Sequence, residues 1–362
     1  MANNQHINIP AHQNLYNGNS NRDLRLEISF PETGVNENTG IAILVPGFGG
    51  NIDSKVYKKM REVFSDKNNL VTVQCAYFGS EFMQSASSFY LKGDVNEFLP
   101  LLSLEERSAL NADSSCLLEI LSTKQLSLLL IAKLEETSDN FNDMGFMQAI
   151  DIITAIEAVK IILKENNMVF NENRVIGYGH SHGAYLLHLS NRLAPHLFSH
   201  IIDNSSWIEP VYLTMNRYLF QSYGKMALQM EFDYIAKKLI EDIKALNFVT
   251  LYNNFNNGAK IISFQGTNDD LVDHSLKAKI FQGIEHAELV LVDENRVDHA
   301  IFKSNVHGLN ADFLKMFKYG VNQLGDHENL NAYLNNYEII LSCTKIEVDY
   351  ALGLPVFTRS FK

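Results

Sequence analysis

The sequence predicts an α/β protein with a mostly parallel central sheet and helices on both of its faces. Three observations predict it. Short continuous apolar runs, such as Ile-Ala-Ile-Leu-Val at 41–45, have the length and composition of strands buried on both sides. Segments with apolar residues at helical spacing lie between those runs, so the chain reads strand, helix, strand. Glycine-rich turns, Pro46-Gly47-Phe48-Gly49-Gly50 and Gly179-His180-Ser181-His182-Gly183, follow two of the runs directly. Glycine lets a chain turn and pack closely where a side chain would obstruct it.

Taken in order, residues 1–21 are rich in Asn and Gln without apolar periodicity, which predicts a loose lead-in to one domain spanning 22–362. Leu24, Leu26, Ile28 and Phe30 alternate and predict a half-exposed edge strand. The run at 41–45 predicts a central strand. Val56, Met60, Val63 and Phe64 then share one face of a helix over 53–64, with Asp53 or Ser54 as its N-cap. A strand is expected at 70–76. From 84 to about 140 only helical patterns stand out, 117–135 above all, and the stretch reads as a helical cap inserted over the sheet edge. Alternation resumes with a helix over 147–165, a strand at 173–178, the serine turn, and a helix that ends at Pro195. A strand at 199–203 precedes a second helical insertion at about 212–246. Strands at 260–265 and 288–293 flank a helix at 275–284, and a further helix covers 311–319. The tail, about 322–362, alternates over 337–348, which predicts edge strands or a self-association surface.

Composition narrows the class. At 362 residues, with 46% hydrophobic and 20% charged side chains, the chain can bury a large core. A net charge of −12 and the lack of a basic stripe exclude nucleic acid and anionic membrane surfaces as expected partners. The polar start Met-Ala-Asn-Asn-Gln-His is not a signal peptide. The most apolar window, 117–134, is interrupted by Glu119, Lys124 and Lys133, so no membrane span is predicted. Cys75, Cys116 and Cys343 are far apart and read as reduced thiols, which fits a cytoplasmic location. Oligomeric state is not legible.

The chemistry centres on the Gly-x-Ser-x-Gly turn. A serine placed between strand and helix in so tight a turn is held in a strained backbone conformation with its hydroxyl outward, and Ser181 is the candidate nucleophile. Acyl transfer also needs a base, an orienting acid and donors for the oxyanion, all near one point. In a parallel sheet such groups gather at the carboxyl ends of the strands. The Pro46–Gly50 turn is one such end, and the backbone N–H of Phe48 with that of His182 would make an oxyanion hole. The turn carries neither glycine pattern of a nucleotide site, and no cofactor is expected. Asp269, three residues past Gly266, is the candidate acid, with Asp270 and Asp203 as alternatives and Asp273 also nearby. The loop after the strand at 288–293 offers two bases. His307, just before the helix at 311–319, is favoured, and His299 is the alternative. The rings of His180 and His182 are expected to line the pocket; no further ligand follows at metal spacing, so no metal is expected.

The order Ser181, Asp269, His307 behind a Pro-Gly-Phe-Gly-Gly turn resembles the α/β-hydrolase superfamily over roughly residues 24–320. Two departures stand out: the oxyanion turn begins Pro-Gly and not His-Gly, and two insertions exceed a minimal hydrolase. The stretches Val45-Pro-Gly-Phe-Gly-Gly50, Asp203-Asn-Ser-Ser-Trp207 and Phe302-Lys-Ser-Asn-Val-His-Gly308 resemble, more narrowly, an uncharacterised bacterial family of unknown function. Its members are often encoded near flagellar or surface glycosylation genes. The resemblance therefore implies the α/β-hydrolase fold and a small-molecule acyl ester as substrate, with an acylated sugar as one form of it. The expected function is that of a serine esterase. An acyltransferase of the same mechanism and a catalytically silent hydrolase fold serving as a binding protein are the alternatives.

Overall fold

A strand whose every residue is apolar must be covered on both faces, and the computed structural model, which describes residues 1–362, shows how that is met. Two strands, β1 (Asn3–Pro10) and β2 (Asp23–Phe30), precede the wholly buried β3 (Gly40–Val45). Helix α1 (Lys55–Asn68) starts at Ser54, whose hydroxyl accepts from the Tyr57 N–H, and leads to β4 (Leu70–Cys75). The first insertion then holds β5 (Ser88–Leu91), α2 (Leu104–Ala112), α3 (Leu117–Ser122) and β6 (Ser127–Lys133). Next come α4 (Phe146–Glu165), β7 (Val175–His180), α5 (His182–Leu193) and β8 (His200–Asn204). The second insertion holds β9 (Arg217–Tyr223), β10 (Met226–Phe232) and the short α6 (Ala236–Leu239) and α7 (Phe248–Tyr252). The core closes with β11 (Lys260–Gly266), α8 (His274–Phe281), β12 (Ala287–Val292) and α9 (Phe313–Leu324), and the tail with β13 (Asn336–Leu341), β14 (Thr344–Asp349) and β15 (Val356–Phe361).

The main sheet has eight strands in the order β1-β2-β4-β3-β7-β8-β11-β12. From β4 to β12 every pairing is parallel, and β2 runs antiparallel between β1 and β4. Alternation along β3 explains the two helical layers. Ile41, Ile43 and Val45 pack into the large core with α4 and α5, whereas Ala42 and Leu44 pack with Met60 and Phe64 of α1 and Met316 and Phe317 of α9. The α/β class with helices on both faces is therefore as expected.

Four expectations are corrected. Residues 3–10 are not loose: they add β1 to the sheet edge, with Ile7 and Ile9 half-buried against the core, so β2 is an inner strand. A two-stranded antiparallel pairing is held by its backbone and needs few apolar side chains, which hides it from a search for apolar periodicity. The cap is not purely helical: beside its short helices it is built around strands. Leu128, Leu130 and Ala132 of β6 point inward and alternate with more exposed neighbours, and residues 217–232 form a hairpin through Gly224 and Lys225. These strands make a second sheet, β5-β6-β10-β9, in which β6 and β10 pair parallel although they come from different insertions. A run such as Leu-Leu-Leu-Ile satisfies helical and strand periods alike, and only the partner strand decides between them. Last, β13–β15 form a separate three-stranded antiparallel sheet and extend no edge of the main one. Ile339, Ile346 and Phe357 of that sheet join the large core, and His12 accepts the Phe357 N–H at 2.7 Å. No helix is long and apolar enough to cross a membrane. All three cysteines are free, Cys75 in the core and Cys343 at the surface.

Candidate active site

Ser181 joins β7 to α5 with φ 55° and ψ −121°, a left-handed conformation that side chains avoid and that persists only where the surroundings impose it. The two glycines of the motif impose it. A Cβ on Gly179 would overlap the backbone of Ala184, so only glycine lets α5 lie this close to the strand it leaves. A Cβ on Gly183 would overlap the carbonyl oxygens of Val45 and Pro46, so glycine also brings the helix start against the end of β3. The Ser181 N–H is fixed to the Asn204 carbonyl at 2.7 Å. The serine is 6% exposed, and its hydroxyl lies 2.7 Å from Nε2 of His307.

His307 sits on a turn between β12 and α9, followed by Gly308 and Leu309, both with positive φ. Gly308 again cannot carry a side chain, since a Cβ there would lie 2.6 Å from Nε2 of His180. Ser205 anchors this turn by accepting the Gly308 N–H at 3.1 Å. The polar stretch after β8 thus ties the two halves of the site: Asn204 holds the serine, and Ser205 holds the histidine loop. Sequence reasoning missed these roles; the signal was a strand end passing directly into Asp-Asn-Ser-Ser.

Nδ1 of His307 donates to Oδ2 of Asp269 at 2.8 Å. The Asp269 side chain is fully covered. Burial alone would raise its pKa, but the His307 ring, the Leu271 N–H and Gln265 donate to it and together hold it below the ordinary carboxylate value. Ser181, His307 and Asp269 are therefore brought together by hydrogen bonds in the order the sequence predicts. The alternatives are not. His299 is exposed in a turn closed by Asp298, which accepts three successive N–H groups. Asp270 faces solvent, and Asp273 caps α8. Asp203 lies in a separate buried cluster with His188 and Lys277.

The oxyanion turn lies beside the serine: a Cβ on Gly47 would be 3.4 Å from that of Ser181. The Phe48 N–H has no acceptor within the chain, and His182 heads α5, where the first N–H groups of a helix are unpaired. Neither N–H predicted as an oxyanion donor is therefore taken up by an acceptor within the chain. The side chains at these positions do other work. Phe48 stacks on Trp207 with ring centroids 5.4 Å apart and meets His182 and Tyr212 edge-on or tilted. From the cap, Arg217 lays its guanidinium 4.7 Å from the centre of the Phe48 ring and donates to the Met83 carbonyl at 2.7 Å. Burial pushes the His182 ring down to about 3 and, with help from the His307 charge, the His180 ring to about 4. Both flanking rings are therefore neutral at ordinary pH, and neither is hydrogen-bonded to the serine hydroxyl as His307 is.

A cavity of about 510 Å³ opens on the far side of the same turn. Gly49 and Gly50 form one wall, and Arg25, Asn51, Ser80 and Gln84 line the rest. Tyr77 also lines it, and its hydroxyl is buried without a hydrogen-bond partner.

A family described as "Protein of unknown function (DUF2920)" matches residues 16–234, a span that takes in Ser181, the first insertion and the β9–β10 hairpin of the second, and ends before Asp269 and His307. No curated protein matches the chain. Among solved structures, the acylaminoacyl peptidase of Pyrococcus horikoshii is similar with a TM-score of 0.52 and 12% identity, over 92% of this chain and 43% of that one. Est1E from Butyrivibrio proteoclasticus with ferulic acid bound has a TM-score of 0.45 and 12% identity, over 83% of this chain and 94% of its own. An S-formylglutathione hydrolase from Agrobacterium tumefaciens has a TM-score of 0.48 and 10% identity, over 90% and 96%. The shared fold is that of the α/β-hydrolases.

Proposed function

Because the chain belongs to the DUF2920 family, proteins of unknown function, and has the α/β-hydrolase fold, we propose that it is a serine hydrolase acting on an acyl ester. One observation carries the reading: the unbroken hydrogen-bonded array from Ser181 through His307 to Asp269, with both contacts under 3 Å. A silent fold serving only as a binding module has no need to keep a serine in a strained conformation against a histidine oriented by an ionised acid.

In this reading His307 Nε2 takes the Ser181 proton as Oγ attacks the acyl carbon. Asp269 keeps Nδ1 protonated and stabilises the imidazolium that forms. The N–H groups of Phe48 and His182 receive the oxyanion, and removing one such donor would raise the barrier by about 3 kcal/mol. Collapse of the tetrahedral intermediate expels the alcohol, which takes its proton from His307. Water then repeats the sequence on the acyl-enzyme, returning the serine.

Labelling with a fluorophosphonate, followed by turnover of an ester panel that includes acetylated sugars, tests the proposal. The wild type is expected to label and turn over, and Ser181→Ala to do neither. A wild type that resists labelling would sink it. Product partitioning toward an added sugar acceptor, in place of free acid, would assign acyl transfer to the same site.

A further inference from the structure

Asp203, the acid that does not reach His307, belongs to a buried array that does reach Asp269. Its Oδ2 accepts from Ser263 Oγ at 2.6 Å, Ser206 Oγ at 2.7 Å and His188 Nε2 at 3.1 Å, and lies 3.2 Å from Nζ of Lys277. Lys277, on α8, is fully buried, as is Asp203. The lysine's ammonium also donates to the Ser206 carbonyl and, at 3.1 Å, to Oε1 of Gln265 on β11. The other end of that amide, Nε2, donates to Oδ2 of Asp269 at 2.7 Å.

The chemistry of the donors fixes the amide. Lysine has three donors and no acceptor, so the oxygen of Gln265 must face Lys277 and its NH₂ must face Asp269. Every position around the Asp269 carboxylate is then assigned. Oδ1 takes the N–H groups of Leu271 and Val272, and Oδ2 takes Gln265 and His307. A carboxylate held on both oxygens cannot rotate away from the imidazole, nor offer it the other oxygen.

We propose that Gln265, locked in one orientation by the Lys277–Asp203 pair, is the positioning residue that aims the Asp269 carboxylate at His307. The inference rests on the hydrolase reading of Ser181 for its consequence in catalysis, though not for its geometry. The charged and titratable groups facing the Asp269–His307 pair are His180 from the end of β7, Lys277 from α8 and, beyond Lys277, Asp203 from β8. All of them stay in place in the decisive variant, Gln265→Glu. It keeps the shape and an oxygen for Lys277 but turns a donor to Asp269 into a second carboxylate.

The test follows the His307 ring by NMR titration in wild type, Gln265→Glu and Gln265→Leu, alongside kcat and KM for a simple activated ester. In Gln265→Glu the added negative charge should raise the apparent pKa of His307 by roughly half a unit or more. The acid limb of the kcat/KM profile should move up with it. Gln265→Leu should lower kcat on the order of 10- to 100-fold with KM little changed, as the loosened carboxylate lets the imidazole drift. The paired variant Asp203→Asn with Lys277→Met removes the buried charges together, and it should show the same loss in weaker form. A purely structural role would lower active-site titration and kcat in parallel without moving either pKa. That result, or an unchanged His307 titration in both Gln265 variants, overturns the proposal. A wild type unlabelled by fluorophosphonate would count against the hydrolase reading instead, and the NMR titration would still decide this one.

Discussion

At the scale of single residues, the site depends as much on missing side chains as on reactive ones. Gly183→Ala should be among the most damaging substitutions in the chain, because its methyl would have to enter the space of the Val45 and Pro46 carbonyls. Backbone cannot yield as a flexible side chain can. A loss of about 2 kcal/mol or more in urea unfolding, with slower fluorophosphonate labelling as the oxyanion turn is pushed off Ser181, is the expected outcome. By contrast Ser181→Ala should leave unfolding nearly unchanged, because alanine keeps the Cβ and with it the same backbone strain, while abolishing turnover. That Ser181, Asp269 and His307 would meet was legible in the sequence, because each follows a strand end in the order acyl-transfer chemistry would use. Gln265, Lys277, Asn204 and Ser205 were not. Asn204, Ser205 and Lys277 act on partners far along the chain, and although Gln265 is only four residues from Asp269, an amide or a hydroxyl gives no local sign of what it will meet in space.

Elements were legible where their apolar period was unambiguous and illegible where pairing decided. Apart from β1, the strands and helices of the main sheet fall within a few residues of expectation, since their ends are marked by glycine turns, caps or a proline. The cap was misjudged because its strands are half-exposed and take their register from one another. Its hairpin is fastened to the core through Arg217, which bonds the Met83 carbonyl and covers Phe48. Arg217→Ala should therefore loosen β9 and β10 before anything else. Limited proteolysis is expected to cut within about residues 216–226 several times faster than in the wild type, with the main core still protected. Cutting that begins elsewhere would show that the hairpin is held by its other contacts.

For the molecule as a whole, buried histidines set the response to acid. Burial lowers His180 and His200 to about 4 and His182 to about 3, against an unfolded value near 6.5. Between these limits the unfolded chain binds protons that the folded chain refuses, so stability falls as pH drops from about 6.5 toward about 4. Each ring contributes on the order of 3 kcal/mol across that window. Asp143 works the other way: burial raises it to about 6, so its protonation favours the fold in the same range. Burial also lowers His12 and His188 and raises Glu136, so the lowered rings outnumber the raised carboxyls and leave the net loss. The urea midpoint should be flat above about pH 7 and drop clearly by about pH 4.5; a midpoint that holds steady down to that pH would mean the rings are more accessible to water than the fold indicates.

The cap sheet also has a consequence for how the protein is made. Its strand β6 pairs in parallel with β10, Ser127 opposite Ala227, and the whole of the serine turn lies between them in the chain. A ribosome releases β5 and β6 long before their partner exists. Until β10 emerges, an edge carrying Leu128, Leu130 and Ile131 stands open beside a half-built sheet, able to pair with any other nascent strand. The cap sheet is therefore the last part of this region able to close, and the part of synthesis most in need of a chaperone is the interval between its two halves.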